Sequence, residues 1–157
     1  MKLIAILLIC IFLISCQTPY VPSYHNYTID GFSMQPTFDH GDHITVDENY
    51  YLDHSLKKND LVAIKLQTQD IPQIKRVIAT EGDEIFFQNN SIVLNNHVLD
   101  EPYLLGNVSH GQVSILQNQL SNFNNIVPEN RVLILGDNRL ASMDSSKFGL
   151  IPITYVK

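Results

Sequence analysis

The first pattern along the chain is an almost unbroken apolar run, LIAILLICIFLISC over residues 3–16, behind a single Lys2. Beyond it, apolar residues come only in short stretches divided by polar turns. Ile44 and Val46 flank Thr45 within Gly41–Asp47, which predicts a half-buried strand. A polar turn from Lys57 to Asp60 leads into Leu61-Val62-Ala63-Ile64, and Ile74-Lys75-Arg76-Val77-Ile78-Ala79 follows as another strand. The arms Ile85-Phe86-Phe87 and Ser91-Ile92-Val93-Leu94 flank the turn-forming residues Gln88-Asn89-Asn90, which predicts a hairpin. Asn95-Asn96 supplies a further turn before His97-Val98-Leu99, and Arg131-Val132-Leu133-Ile134-Leu135 is the strongest strand. Residues 104–127 are rich in Asn and Gln and weakly patterned, which predicts a surface excursion. Short strands without a clear amphipathic helix make an all-β domain.

This fourteen-residue run falls short of the roughly twenty needed to span a bilayer and fits the core of an export signal. The run ends Leu13-Ile14-Ser15-Cys16, which resembles a bacterial lipobox; that resemblance implies acylation at Cys16. The alternative is a short signal-anchor. Either route predicts an exported protein held at a bacterial membrane, with its soluble part on the extracytoplasmic side. The expected organisation is a signal or anchor segment over 1–16, a tether over 17–29 and a catalytic β domain over 30–157. The 157 residues suit one domain with a real core. A net charge of −6 and the lack of any Lys/Arg run argue against a nucleic-acid partner. Cys10 and Cys16 are the only cysteines, so residues 30–157 contain no disulfide. No zinc-type spacing, P-loop or dinucleotide fingerprint is present, and no cofactor or metal is expected.

Three stretches carry candidate chemistry. In Gly31-Phe32-Ser33-Met34-Gln35-Pro36, a permissive glycine and a proline with fixed φ frame one serine, whose hydroxyl could be held rigidly. Lys75 and Arg76 lie side by side in an apolar strand and point to opposite faces. Desolvation lets a buried lysine lose its proton, whereas arginine keeps its charge, so Lys75 is the candidate base for a hydroxyl. The loop Gly136-Asp137-Asn138-Arg139-Leu140-Ala141-Ser142-Met143-Asp144-Ser145-Ser146 leaves a core strand with many polar groups that need partners. A calcium site from Asp137, Asn138 and Asp144 is the alternative, although its spacing does not match an EF-hand.

In order and spacing, Gly31-x-Ser33-Met34-x-Pro36-Thr37, Lys75-Arg76-Val77-Ile78 with Gly82-Asp83, and Gly136-Asp137-Asn138-Arg139-x-x-Ser142-x-Asp144-Ser145 resemble the successive boxes of type I signal peptidases. Leu99-Asp100-Glu101-Pro102-Tyr103-Leu104 and Phe148-Gly149-Leu150-Ile151-Pro152 extend the resemblance, which runs from residue 30 to 157. It implies a small, predominantly antiparallel β fold of the signal-peptidase type and a membrane-bound serine endopeptidase acting on the signal peptides of secretory precursors. Ser33 is then the nucleophile, Lys75 the general base and Ser142 the hydroxyl that orients the lysine. Arg76, Asp137 and Asp144 brace the site, and the backbone amides of Ser33 and Gly31 face the oxyanion. Departures are Thr80-Glu81 before Gly82-Asp83, and Ser146 where many members carry arginine.

Other readings are a dyad peptidase dedicated to a conjugative pilin or one secretion system, and a non-catalytic lipoprotein that binds peptides. A histidine-based triad through His40 or His43 is a further alternative. Phe32, Met34 and Phe38 are candidates for an apolar surface around the cleft that touches lipid or substrate.

Overall fold

The computed structural model describes residues 19–65, 71–88, 91–104 and 114–157. The apolar run, Cys16 and the hairpin tip at Asn89-Asn90 lie outside the described residues. Among those described, no helix is long and apolar enough to cross a membrane.

The strands of the described residues form three antiparallel sheets. Strand β1 (Tyr24–Thr28) pairs along its whole length with β2 (His43–Asp47), and a one-turn helix α1 (Tyr50–Asp53) follows. The main sheet has the order β3 (Leu61–Ile64), β4 (Gln73–Ala79), β8 (Arg131–Leu135), β9 (Ile151–Pro152). The third sheet is the meander β5 (Ile85–Gln88), β6 (Ser91–Leu94), β7 (His97–Val98). Its register pairs Gln88 with Ser91, so the first arm of the hairpin runs one residue further than the pattern predicts. The turn into β7 places Asn95 and Asn96 at φ 50° and 64°, a conformation asparagine tolerates well. Helices α2 (Ser114–Ser121) and α3 (Ser145–Phe148) and a 3-10 turn at Ile153–Tyr155 are the other elements of the described residues.

Strand β8 shows why its sequence is continuously apolar. It lies between β4 and β9, with Val132 and Ile134 packing on one side and Leu133 and Leu135 on the other. Such a strand buries both faces. A third cluster, built on Ile29, Met34, Ala63 and Ile74, ties the Ser33 turn to β3 and β4.

Two expectations change. Residues 17–29 are not a tether throughout, because Tyr24–Thr28 form β1 and Ile29 is buried in the third cluster. Residues 104–127 are not all surface excursion either. The helix α2 inserts Leu116 and Leu120 into the largest cluster, and Val127 joins them there.

Candidate active site

The Ser33 turn is shaped by its flanks. Gly31 takes φ +103°, which side-chain-bearing residues rarely adopt, while Met34 is anchored in the core. Ser33 itself is half-buried. Its carbonyl accepts the Asn138 N–H at 3.0 Å, which joins the first and last of the three stretches. Gly136 makes this approach possible. A Cβ there would lie 2.4 Å from both the Ser33 carbonyl oxygen and Ser142 Oγ.

Strand β4 brings the middle stretch into place. Lys75 is 2% exposed, and its Nζ lies 2.9 Å from Ser33 Oγ and 2.9 Å from the Ile74 carbonyl. Burial pushes its pKa down from 10.5 to about 8, against the opposing pull of Asp144 and then Asp137. A hydroxyl and an amine with a lowered pKa are therefore in direct contact.

Arg76 reaches different partners. Its guanidinium grips Asp137 through two bonds of 2.8 and 2.7 Å and donates to the Asn59 carbonyl at 3.2 Å. Thr37, from the Ser33 turn, donates to the same Asp137 carboxylate and accepts from Arg76 at 3.2 Å. The Tyr103 ring lies under the guanidinium at 4.0 Å. The hydrogen bond to Asp137, more than any other influence, holds the Arg76 pKa above its usual value. The Asp144 carboxylate receives the Gly136 N–H at 2.8 Å and caps α3 through the Ser146 N–H at 2.9 Å. With Asp137 and Asp144 committed in this way, their carboxylates are poorly disposed for calcium.

Two expected contacts are not made. Ser142 is buried, yet its Oγ has no hydrogen-bond partner, so it does not hold the lysine here. The Gly31 N–H donates to His40 Nδ1 at 3.2 Å and is thus committed away from an oxyanion. His43 lies against Thr28 Oγ1 at 3.1 Å, so both histidines proposed for a triad have partners other than Ser33. Of the three candidates for an apolar rim, Met34 is core and Phe38 packs partly buried against the third cluster; Phe32 alone is exposed.

A cleft of about 510 Å³ opens beside Ser33 and Lys75. Thr28, Ile29 and Asp30 form one wall, and Pro72, Gln73 and Ile74 the other. Glu101, Tyr103, Thr37 and Arg139 take part in the surrounding network without having been assigned roles from the residues. The signal for them was their place inside the quoted motifs.

A family model described as signal peptidase, peptidase S26, matches residues 1–157. The chain belongs to this family. Membership makes this S26 peptidase a serine endopeptidase of the signal peptidase I type. Among its relatives, signal peptidase IB of Staphylococcus aureus strain N315 is 37% identical over 133 residues, covering 80% of this chain and 69% of that one. Signal peptidase I of Bacillus amyloliquefaciens is 30% identical over 130 residues, covering 82% and 67%. The crystal structure of a signal peptidase I from Enterococcus faecalis V583 has a TM-score of 0.50 at 20% identity. It covers 66% of this chain and 95% of that one, and supports the signal-peptidase fold for the S26 domain.

Proposed function

We propose that this S26 peptidase cleaves signal peptides from exported precursors with a Ser33/Lys75 dyad, at the extracytoplasmic face of a bacterial membrane. The 2.9 Å contact between Lys75 Nζ and Ser33 Oγ, inside a site that lowers the lysine pKa to about 8, is the observation that carries the reading. With Lys75 neutral, its nitrogen lone pair accepts the Ser33 proton as Oγ attacks the scissile carbonyl carbon. The Ser33 N–H donates to the oxyanion that forms. Gly31 would supply a second amide once His40 releases it. As the intermediate collapses, Lys75 returns the proton to the leaving amine, and an acyl ester remains on Ser33. Water then attacks that ester with Lys75 again as base. Arg76, Asp137 and Asp144 do not react; they lock the Ser33 turn, β4 and the 136–146 loop into one frame. Ser142, beside Gly136, would orient the lysine after a change of hydroxyl rotamer.

The substrate would lie extended in the cleft, between the 28–30 wall and the 72–74 wall, as an added strand. Small residues at the first and third positions before the cut would face the enzyme. Exposed Phe32, Ile71 and Met143 at the cleft suit an apolar segment emerging from lipid. Acylation at Cys16 would hold the S26 domain at the membrane.

The test is incubation of the full chain with a secretory precursor, followed by sequencing of the new N-terminus. Ser33→Ala and Lys75→Met should each abolish cleavage while the β circular-dichroism spectrum is retained. Near-normal turnover by either variant would overturn the dyad.

A further inference from the structure

Outside the dyad, the turn that receives Ser33 is held by a buried ion pair from another part of the fold. The Arg139 guanidinium forks onto the Glu101 carboxylate, with Nη1 3.5 Å from Oε2 and Nη2 in shorter contact with Oε1. The two side chains are only 4% and 8% exposed. The remaining edge of the guanidinium donates from Nε to the Gly136 carbonyl at 3.0 Å. Gly136 is the residue whose Cα packs against the Ser33 carbonyl, and Asn138, two residues on, donates its N–H to that carbonyl. Glu101 also accepts the Tyr103 hydroxyl at 2.9 Å, and the Tyr103 ring supports Arg76, the neighbour of Lys75 in β4. The segment Glu101–Tyr103 therefore touches supports of both reacting residues while lying outside the cleft.

Resting on the dyad reading above, we infer that Glu101 and Arg139 are positioning residues for catalysis. The Glu101 carboxylate aims the Arg139 guanidinium, which fixes the Gly136 carbonyl and, through that turn, the placement of Ser33 against Lys75. A planar fork can grip a carboxylate on one edge and a carbonyl on another; a lysine in the same place cannot do both. Neither residue lines the cleft, so ground-state substrate binding should be indifferent to them. A shift of about 1 Å in reacting groups can cost roughly a hundredfold in rate, so the effect belongs in kcat.

Two variants of the full chain test this on a secretory precursor. Glu101→Leu with Arg139→Met replaces the buried pair by apolar residues of similar volume, an exchange that often keeps a fold stable. It should keep its melting temperature and KM but lose kcat about tenfold to a hundredfold. Arg139→Lys keeps the charge opposite Glu101 and should show the same loss of kcat; it is the variant to read if the apolar pair lowers the melting temperature. Full kcat in a folded variant, or a raised KM with unchanged kcat, overturns the inference. Ser33→Ala run in parallel separates the two proposals, since residual cleavage there condemns the dyad and leaves the Glu101/Arg139 result to be read on its own.

Discussion

In the proposed dyad, Lys75 serves chemistry at the expense of stability. Its folded pKa of about 8 lies below the 10.5 of an exposed lysine. The folded state thus binds fewer protons than the unfolded state between those values, and stability rises with pH across that window. Below about pH 8 the full cost is present, on the order of 3 kcal/mol from the size of the shift. Lys75→Met should therefore melt higher than the parent at pH 7, with the difference shrinking toward pH 10.5. The parent's kcat/KM should rise with pH through an apparent pKa near 8, because in the proposed dyad only neutral Lys75 accepts the Ser33 proton. A flat profile across that range would contradict the assignment. Gly136 makes a second case at this scale. A methyl group there meets the Ser33 carbonyl and Ser142 at 2.4 Å, so Gly136→Ala must push the Ser33 turn aside. It should lose at least about a hundredfold in kcat and cost about 1–3 kcal/mol by denaturant titration. The candidacy of Ser33 and Lys75 could be read from residue type and context. The packing reason for Gly136 could not, because the atoms it admits come from residues distant in the chain.

At the level of elements, β2 to β8 were visible wherever apolar residues alternated or ran together. The strand β1, YHNYT, was not, since no residue in it is buried and its stability comes from pairing with β2. Helix α2 was missed for a related reason. In SILQNQLS, Leu116 and Leu120 are the apolar pair that reaches the core, set among polar neighbours that dilute the period. Gln119 adds a tertiary contact by accepting the Leu150 N–H at 2.5 Å. Leu120→Ala should destabilise the domain by about 2–5 kcal/mol in chemical unfolding. Since α2 does not line the cleft, the folded fraction of that variant should keep its kcat. Equal losses of stability and of kcat per folded molecule would instead couple α2 to the site.

Across the whole molecule, the cleft joins β1's end to the approach to β4, two segments that come from different sheets. An extended peptide bound between them would turn alternate side chains toward the enzyme. Enlarging the residue one or three places before the cut should block cleavage of a precursor, whereas changing the residue two places before should matter little. Cleavage rates for a series varied singly at these positions check the model, and equal tolerance at all three would reject it.

The order of three polar motifs, set in a chain of short apolar strands, was enough to determine the family and the all-β class. Each of those signals is local: alternation reports a strand, and a motif reports residue types at fixed spacing. Tertiary structure decided what no local signal contains. It put Lys75 Nζ beside Ser33 Oγ, committed the Gly31 amide to His40, left Ser142 Oγ without a partner and joined Glu101 to Arg139. These contacts span 42, 9 and 38 residues of chain in the three bonded cases. Their existence depends on which elements pack together, because distance and burial, unlike composition, are properties of the assembled fold.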